Sequence, residues 1–350
     1  MKKISVAING FGRIGRSFFR VAFAHPDFDI VAINDLGDAE NLAYLLKYDS
    51  VYGKSDFSVA IKKSGPKTLL VIDGKEVELL QKKDPTELPW KDFDIDVVVE
   101  ATGVFRKPSL ARLHLRAGAK RVVVTAPFKD EDAPTEAPTV LIGVNEKDFS
   151  KDEVTSNASC TTNAASPLVA ILDEAVGIEK AMLNTVHGYT SSQSLVDGPS
   201  HKDFRRGRAA AANIIPTSTG ASETVAKAIP RLTGKFKGLA IRVPVLSGSL
   251  VDVTFVAKRN TTTEEVNEAL RAAAKEERWE KVFAVTDEPL VSSDIIRSPH
   301  ASIADLSFTM VVGGNLVKVL AWYDNEMGYV HSLIEHVRKA AQSPQGPSLR

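Results

Sequence analysis

The chain has 350 residues, with 44 Lys plus Arg balanced by 44 Asp plus Glu, and a single cysteine. Zero net charge supplies no global field to draw it to nucleic acid or an anionic membrane. One thiol rules out an internal disulfide framework and a thiolate zinc cluster, no metal site is expected, and a reducing, cytoplasmic setting fits.

No apolar run approaches the roughly 20 residues that span a bilayer, so no membrane partner is expected. Residues 4–8 are apolar and β-rich and enter a glycine turn, which reads as a strand and not as a signal peptide. A helical pattern covers 13–24, a second strand 30–33, and valine runs at 97–99 and 122–124 look buried on both faces of a parallel sheet. Strand and helix in alternation predict a doubly wound α/β domain over residues 1–159.

From residue 160 the pattern changes. A strand at 251–257, a helix at about 263–277 behind a Thr-Thr-Thr-Glu-Glu start, and strands 306–312 and 316–322 around Gly313-Gly314-Asn315 predict an α+β catalytic domain. Its sheet is mainly antiparallel, over residues 160–325. A terminal helix at about 326–342 completes the first domain, and 343–350 reads as a disordered tail.

Gly10-Phe11-Gly12-Arg13-Ile14-Gly15 fits G-x-G-x-x-G between a strand and a helix, and Asp35 ends the next strand 20 residues after Gly15. That context makes the first domain a Rossmann-type dinucleotide-binding domain. The glycines admit a tight turn and close backbone approach, a helix N-terminus takes the pyrophosphate, and Asp35 accepts from ribose hydroxyls while repelling a 2′-phosphate. NAD is therefore expected over NADP. The alternative is a plain glycine turn beside a strand-end Asp that caps a helix.

Ser159-Cys160-Thr161-Thr162-Asn163 opens a helical pattern. A thiol there feels the positive end of the helix dipole, which predicts a lowered thiol pKa. A lone cysteine can also be a small buried hydrophobe, but hydroxyl-rich neighbours favour the nucleophile. Of seven histidines, His25 and His114 fall on helix-like surface segments and His331 and His336 in the terminal helix. His187, at the end of the apolar run 181–186, is the favoured base, with a packed strand-end imidazole as its alternative role. The run Lys202 to Arg208 is the densest cationic stretch; Arg206 and Arg208 read as solvated charges or a subunit contact.

These motifs resemble the glyceraldehyde-3-phosphate dehydrogenase family: INGFGRIGR at 8–16, SNASCTTN at 156–163, NIIPTSTGA at 213–221 and WYDNEMGY at 322–329. The resemblance runs collinearly from residue 3 to about 340. It implies conversion of D-glyceraldehyde 3-phosphate, NAD and inorganic phosphate to 1,3-bisphosphoglycerate in glycolysis and gluconeogenesis. Cys160 would form a thiohemiacetal and then a thioester, with His187 as base. By the same resemblance Thr190 and Arg242 hold the substrate phosphate, while Ser159, Thr161, Thr219, Gly220 and Arg205 serve the attacking phosphate.

For NAD the family pattern carries over to Gly10, Phe11, Gly12, Arg13 and Ile14 at the pyrophosphate turn and to Asp35 at the ribose. Lys83, Thr102, Gly103 and Thr125 fall near the ribose positions, and Asn325 at the nicotinamide carboxamide. A homotetramer is implied, with the segment from about 190 to 212 at a subunit interface. Erythrose-4-phosphate dehydrogenase is the alternative on the same fold, and Thr190 with Pro-Thr-Ser-Thr-Gly at 216–220 favours the three-carbon substrate. Ala164 replaces the second cysteine usual in relatives, and the acidic loop 128–139 is longer than usual.

Overall fold

Valine runs without a polar face need cover on both sides. Val97, Val98 and Val99, like Val122, Val123 and Val124, are fully buried, and both runs are central parallel strands of an eight-stranded sheet. The computed structural model describes residues 2–129, 137–201 and 203–344. Residues 130–136 of the acidic loop, Lys202 of the cationic run and 345–350 of the tail lie outside the described residues.

The chain divides into two units. The first comprises residues up to Val140, Glu146–Ala158 and everything from Leu333 onward; the second comprises Leu141–Asn145 and Ser159–Ser332. In the first, the strand order is Val154–Ser156, Arg121–Val124, Val97–Glu100, Ile4–Asn9, Phe28–Asn34, Lys75–Leu80, Lys67–Ile72, Val59–Ser64. It is parallel as far as Lys75–Leu80 and antiparallel beyond. The antiparallel ribbon was not expected from the strand–helix alternation, yet it has a local signal. Asp73 (φ 46°) and Gly74 (φ 83°) form the tight link between two of its strands, the Asp-Gly pair that a twisted hairpin favours.

Polar residues end the central strands at one edge: Asn9, Asn34 and Glu100, with Thr125 just past Val124. Ligands of such sheets gather at this carboxyl edge. Gly10 begins the turn there at φ +95°, and a Cβ on it would lie 2.6 Å from the Thr102 amide nitrogen. Gly15 lets helix Arg13–Ala22 rest on the turn, since a Cβ would meet the Gly10 carbonyl oxygen.

In the second unit a seven-stranded sheet runs Ile215–Ser218, Phe236–Val243, Ile178–Gly188, Ser249–Ala257, Leu316–Tyr323, Ser302–Val312, Phe283–Thr286. Most of its ladders are antiparallel; Ile178–Gly188 with Phe236–Val243 is parallel. The Gly-Gly-Asn hairpin lies where expected, between Val312 and Leu316. The helix expected at about 263–277 stops at Ala273, where bonds three residues apart from Lys275 to Ala272 and from Glu276 to Ala273 tighten its end. Helix Cys160–Ala175 is buried along almost its whole length, from Thr161 to Asp173.

One histidine departs from its surface reading, and a second, in the terminal helix, is structural. His114 is fully buried in the first unit. His336 is too, its Nε2 2.7 Å from Thr155 Oγ1 and its Nδ1 3.1 Å from Asn157 Oδ1. Ser343 and Pro344, at the start of the expected tail, accept through their carbonyls from the buried Arg121 guanidinium. Among the described residues no helix is long and apolar enough to cross a membrane.

Gly10→Ala is expected to lower stability by about 2 kcal/mol, from left-handed strain and displacement of the Thr102 backbone. Equilibrium urea unfolding measures this; an unchanged midpoint would show that the turn relaxes freely.

Candidate active site

The first unit carries a cavity of about 840 Å³ along the carboxyl edge of its strands, lined by Gly10, Gly12, Asp35, Lys83, Thr102 and Phe105 among others. Helix Arg13–Ala22 starts there with Gly12 as N-cap, no capping side chain and no acid in its first turn. A helix N-terminus of this kind suits an anion. Asp35 Oδ2 accepts from the Phe11 N–H at 2.6 Å and Oδ1 from the Gly37 N–H at 2.8 Å. The carboxylate is thus held in place and keeps lone pairs for a diol.

Arg13 reaches Asp49, Nη1 to Oδ2 at 2.6 Å, and Ile14 is half-buried beside it. Gly103 (φ +72°) follows Thr102, and Thr125 donates to the Glu100 carbonyl through its N–H at 3.0 Å and its hydroxyl at 3.1 Å. A glycine cradle that a Cβ would fill, a fixed carboxylate and an uncapped helix start together fit a dinucleotide.

In the second unit, Ser159 caps helix Cys160–Ala175, its Oγ accepting from the Thr162 N–H at 3.2 Å. Cys160 therefore takes the first helical position. His187 comes from strand Ile178–Gly188, and Cys160 Sγ lies 3.4 Å from His187 Nε2. The helix start is pinned to that strand by Tyr323. Its hydroxyl lies 2.9 Å from Thr161 Oγ1 and 2.8 Å from Thr185 Oγ1, two residues before His187 on the same sheet face. Arg242 is the register partner of His187 in the neighbouring strand, so it shares that face as well.

His187 Nδ1 lies 2.7 Å from Arg242 Nη1 and 2.6 Å from the Gly188 carbonyl oxygen. One imidazole nitrogen cannot accept from the first and donate to the second at once, so these contacts define two alternative tautomers. Only the tautomer with its proton on Nδ1 leaves a lone pair on Nε2 for the thiol.

The electrostatics depart from the sequence expectation of a lowered thiol. Burial pushes the Cys160 thiol up; Arg242, the Thr161 and Cys160 amides and the Thr161 hydroxyl act the other way. Burial is the largest of these influences and outweighs the helix terminus. Burial first, and Arg242 second, also bring His187 down to about 3, against the pull of the Gly188 carbonyl. Both shifts favour the neutral forms of the pair.

The remaining anion candidates sit on loops of the same unit. Thr190 Oγ1 lies 2.9 Å from Ser192 Oγ, and Thr219 Oγ1 accepts from the Ala221 N–H at 3.2 Å. Gly220 is the N-cap of helix Ala221–Ala228, where a Cβ would meet nothing within 4 Å. Arg205 is exposed, and its backbone N–H donates to Asp203 Oδ1 at 3.0 Å.

Arg206 differs from the solvated charge expected. It is half-buried, donates from Nε to Thr217 Oγ1 at 2.8 Å, and is felt by Arg242 as a second cation. Arg208 does sit at the surface, 2.9 Å from Asp197. Asn325 is buried, its Oδ1 accepting from Ser249 Oγ at 2.8 Å, which orients its amide. Sequence reasoning missed Tyr323 and Arg206 because their roles depend on cross-strand neighbours. For Tyr323 the only signal was its place in the 322–329 motif.

Residues 4–108 match the model of the glyceraldehyde 3-phosphate dehydrogenase NAD binding domain, and residues 159–325 match that of its C-terminal domain. The chain belongs to this family. Curated relatives include the glyceraldehyde-3-phosphate dehydrogenase of Thermotoga maritima, 51% identical over 94% of this chain and 97% of the relative. Glyceraldehyde-3-phosphate dehydrogenase 2 of Bacillus subtilis is 47% identical over 99% of both, and the enzyme of Geobacillus stearothermophilus is 47% identical over 95% and 96%. The cavity of the first unit thus lies on the NAD binding domain.

Arg242→Gln removes the cation that lowers the Cys160 thiol, so the thiol moves further up and its thiolate fraction falls at any pH below the new midpoint. Each unit of that shift slows alkylation about tenfold at fixed pH. The pH profile of iodoacetamide inactivation reads it, with Arg242→Lys as the charge-preserving comparison; an unmoved midpoint in Arg242→Gln would remove the arginine from this role.

Proposed function

We propose that the protein is an NAD-dependent, phosphorylating glyceraldehyde-3-phosphate dehydrogenase of glycolysis and gluconeogenesis. The observation that carries the reading is Cys160 Sγ, 3.4 Å from His187 Nε2 at the start of a capped helix. Cys160 loses its proton to His187 and adds to the aldehyde carbon; the resulting alkoxide takes that proton back, giving a thiohemiacetal. The Cys160 N–H and the His187 imidazole face the oxygen where this charge develops. His187 Nε2 then removes the hydroxyl proton as the adduct collapses to a thioester. NAD, when bound, supplies the acceptor for the departing hydride. Inorganic phosphate attacks the thioester carbon, the carbon–sulfur bond breaks, and Cys160 leaves as thiolate with 1,3-bisphosphoglycerate as product.

Thr190 and Arg242 are assigned to the substrate's phosphate. Ser159, Thr161, Thr219, Gly220 and Arg205 are assigned to the attacking phosphate. Arginine's planar fork suits both oxyanions. A phosphate that draws Arg242 off His187 Nδ1 leaves the Gly188 carbonyl as the only partner there, which fixes the tautomer that can act as base. On the NAD side, Gly10, Phe11, Gly12, Arg13 and Ile14 are assigned to the pyrophosphate turn and Asp35 to the adenosine ribose. Lys83, Thr102, Gly103 and Thr125 flank the ribose positions, and Asn325 takes the carboxamide. A single cysteine kept as a thiol goes with a cytoplasmic location.

The assembly we assign is a homotetramer. Leu195 at 80% and Phe204 at 86% exposure, with Val196 and Met182 also bare, are large apolar side chains that a subunit contact would cover. Sedimentation equilibrium should give four times the chain mass; a monomer at micromolar concentration would overturn this.

Cys160→Ser is expected to cut phosphate-dependent NADH formation from glyceraldehyde 3-phosphate by more than about 1,000-fold, while calorimetry still detects NAD binding. Turnover retained in that variant, or wild-type turnover indifferent to added phosphate, would sink the assignment.

A further inference from the structure

Beneath the NAD cavity of the first unit lies a charged side chain that the reaction does not use. Glu100 ends strand Val97–Glu100 and is 1% exposed. Its Oε1 accepts from the Thr102 N–H at 2.9 Å and from the Thr102 hydroxyl. Its Oε2 accepts from Asn9 Nδ2 at 2.5 Å and faces His114 Nε2 at 3.1 Å. No Lys or Arg contacts this carboxylate among the described residues.

The bonds to Glu100 have their directions set from two ends, and Asn9 Nδ2 and His114 Nε2, 3.3 Å apart, lie side by side as donors to it. At one end, the Trp90 indole N–H, which can only donate, points at His114 Nδ1 from 3.0 Å. Nδ1 must therefore carry the lone pair and Nε2 the proton, aimed at Glu100. At the other end, the Lys82 backbone N–H donates to Asn34 Oδ1 at 2.8 Å, and the Lys82 carbonyl accepts from Asn34 Nδ2 at 2.9 Å. That fixes the Asn34 amide, whose Nδ2 also donates to Asn9 Oδ1 at 2.7 Å. Asn9 is thereby turned with its NH2 towards Glu100. Both chains of donors end on one carboxylate, which only a pure acceptor can satisfy.

From this convergence we infer that Glu100 is a positioning residue for NAD: it sets the shape of the cavity without touching the ligand. Asn9 precedes Gly10, Asn34 precedes Asp35, Thr102 precedes Gly103 and Lys82 precedes Lys83. The four segments lining the cavity are thus ordered through one buried charge, and Asn9, Asn34, Lys82 and Thr102 line it themselves. The inference rests on reading this cavity as the NAD site. Fixing loops before the ligand arrives spares the ordering cost on binding, so the effect falls on affinity for NAD.

Glu100→Gln keeps the shape and removes the acceptor. If the amide oxygen faces Thr102, its NH2 meets the Asn9 NH2 and the His114 Nε2–H; turned over, it meets the Thr102 N–H. Either way two donors oppose each other in a buried place. Adding Trp90→Phe deletes the indole N–H that holds the His114 tautomer. The His114 proton can then move to Nδ1, so that Nε2 accepts and one of the two opposed donors is removed, the Asn9 NH2 remaining.

The test is isothermal titration with NAD, at a temperature where circular dichroism shows each protein folded. Glu100→Gln should weaken binding at least about tenfold. It should raise KM for NAD more than it lowers kcat at saturating NAD. The double variant should melt lower than Glu100→Gln alone yet bind NAD more tightly, an order that a merely structural role would reverse. Failure of the wild-type protein to bind NAD would overturn the reading of the cavity. Wild-type binding with Glu100→Gln within twofold of it, or NAD affinity that falls in step with melting temperature, would overturn the positioning role alone.

Discussion

A sulfur and an imidazole nitrogen 3.4 Å apart, largely shielded from water, make up the constraint on which the second unit depends. Neither group gains from ionising there without a substituted partner for lost solvent. The surrounding residues supply such partners in fixed places. Arg242 holds a positive charge beside both groups, the Gly188 carbonyl faces Nδ1, and Ser159 caps the helix on which the thiol sits. Burial thereby favours the uncharged forms of both groups. A thiol shifted towards its neutral form is less open to alkylation and oxidation than a thiolate.

Holding that distance is a matter of packing as much as of hydrogen bonds. Helix Cys160–Ala175 has no polar face to give to solvent, and its burial leaves it little freedom to rotate. Tyr323 then joins its first turn to the His187 strand through Thr161 and Thr185. Burial raises the Tyr323 hydroxyl pKa, so it remains a neutral two-way link between the two threonines.

The first unit solves a related problem with the opposite economy. Strand Val97–Glu100 is apolar up to its last residue, and polar Asn9, Asn34 and Glu100 end the neighbouring strands at the carboxyl edge. There a buried carboxylate is made tolerable by four donors instead of a counter-ion. Such a network is stiff because its bond directions are dictated by groups that cannot reverse: an indole N–H on one side, a backbone N–H and C=O on the other.

Local pattern carried much of this in the sequence. Glycines at fixed spacing after a strand, an Asp at the next strand end, unbroken valine runs and a Gly-Gly-Asn hairpin each have a short-range physical cause, and each lies where the pattern put it. The Asp73-Gly74 turn was equally legible, but the surrounding Lys–Glu strands carry too little hydrophobic alternation to announce a ribbon. His114 was not legible: a histidine in a short helical stretch looks like surface until Trp90 and Glu100, distant in sequence, close over it. Arg206 likewise looks like one of a run of solvated charges until Thr217 accepts from it across the loop.

The sequence alone thus determined the two fold classes, the dinucleotide turn and the family to which Cys160 and His187 belong, because these depend on periodicity, turn chemistry and motif. Tertiary structure alone decided the direction in which burial shifts that pair, the partners of Arg242 and the convergence on Glu100. Desolvation and bond direction are set by groups brought together across strands, and no spacing along the chain encodes them.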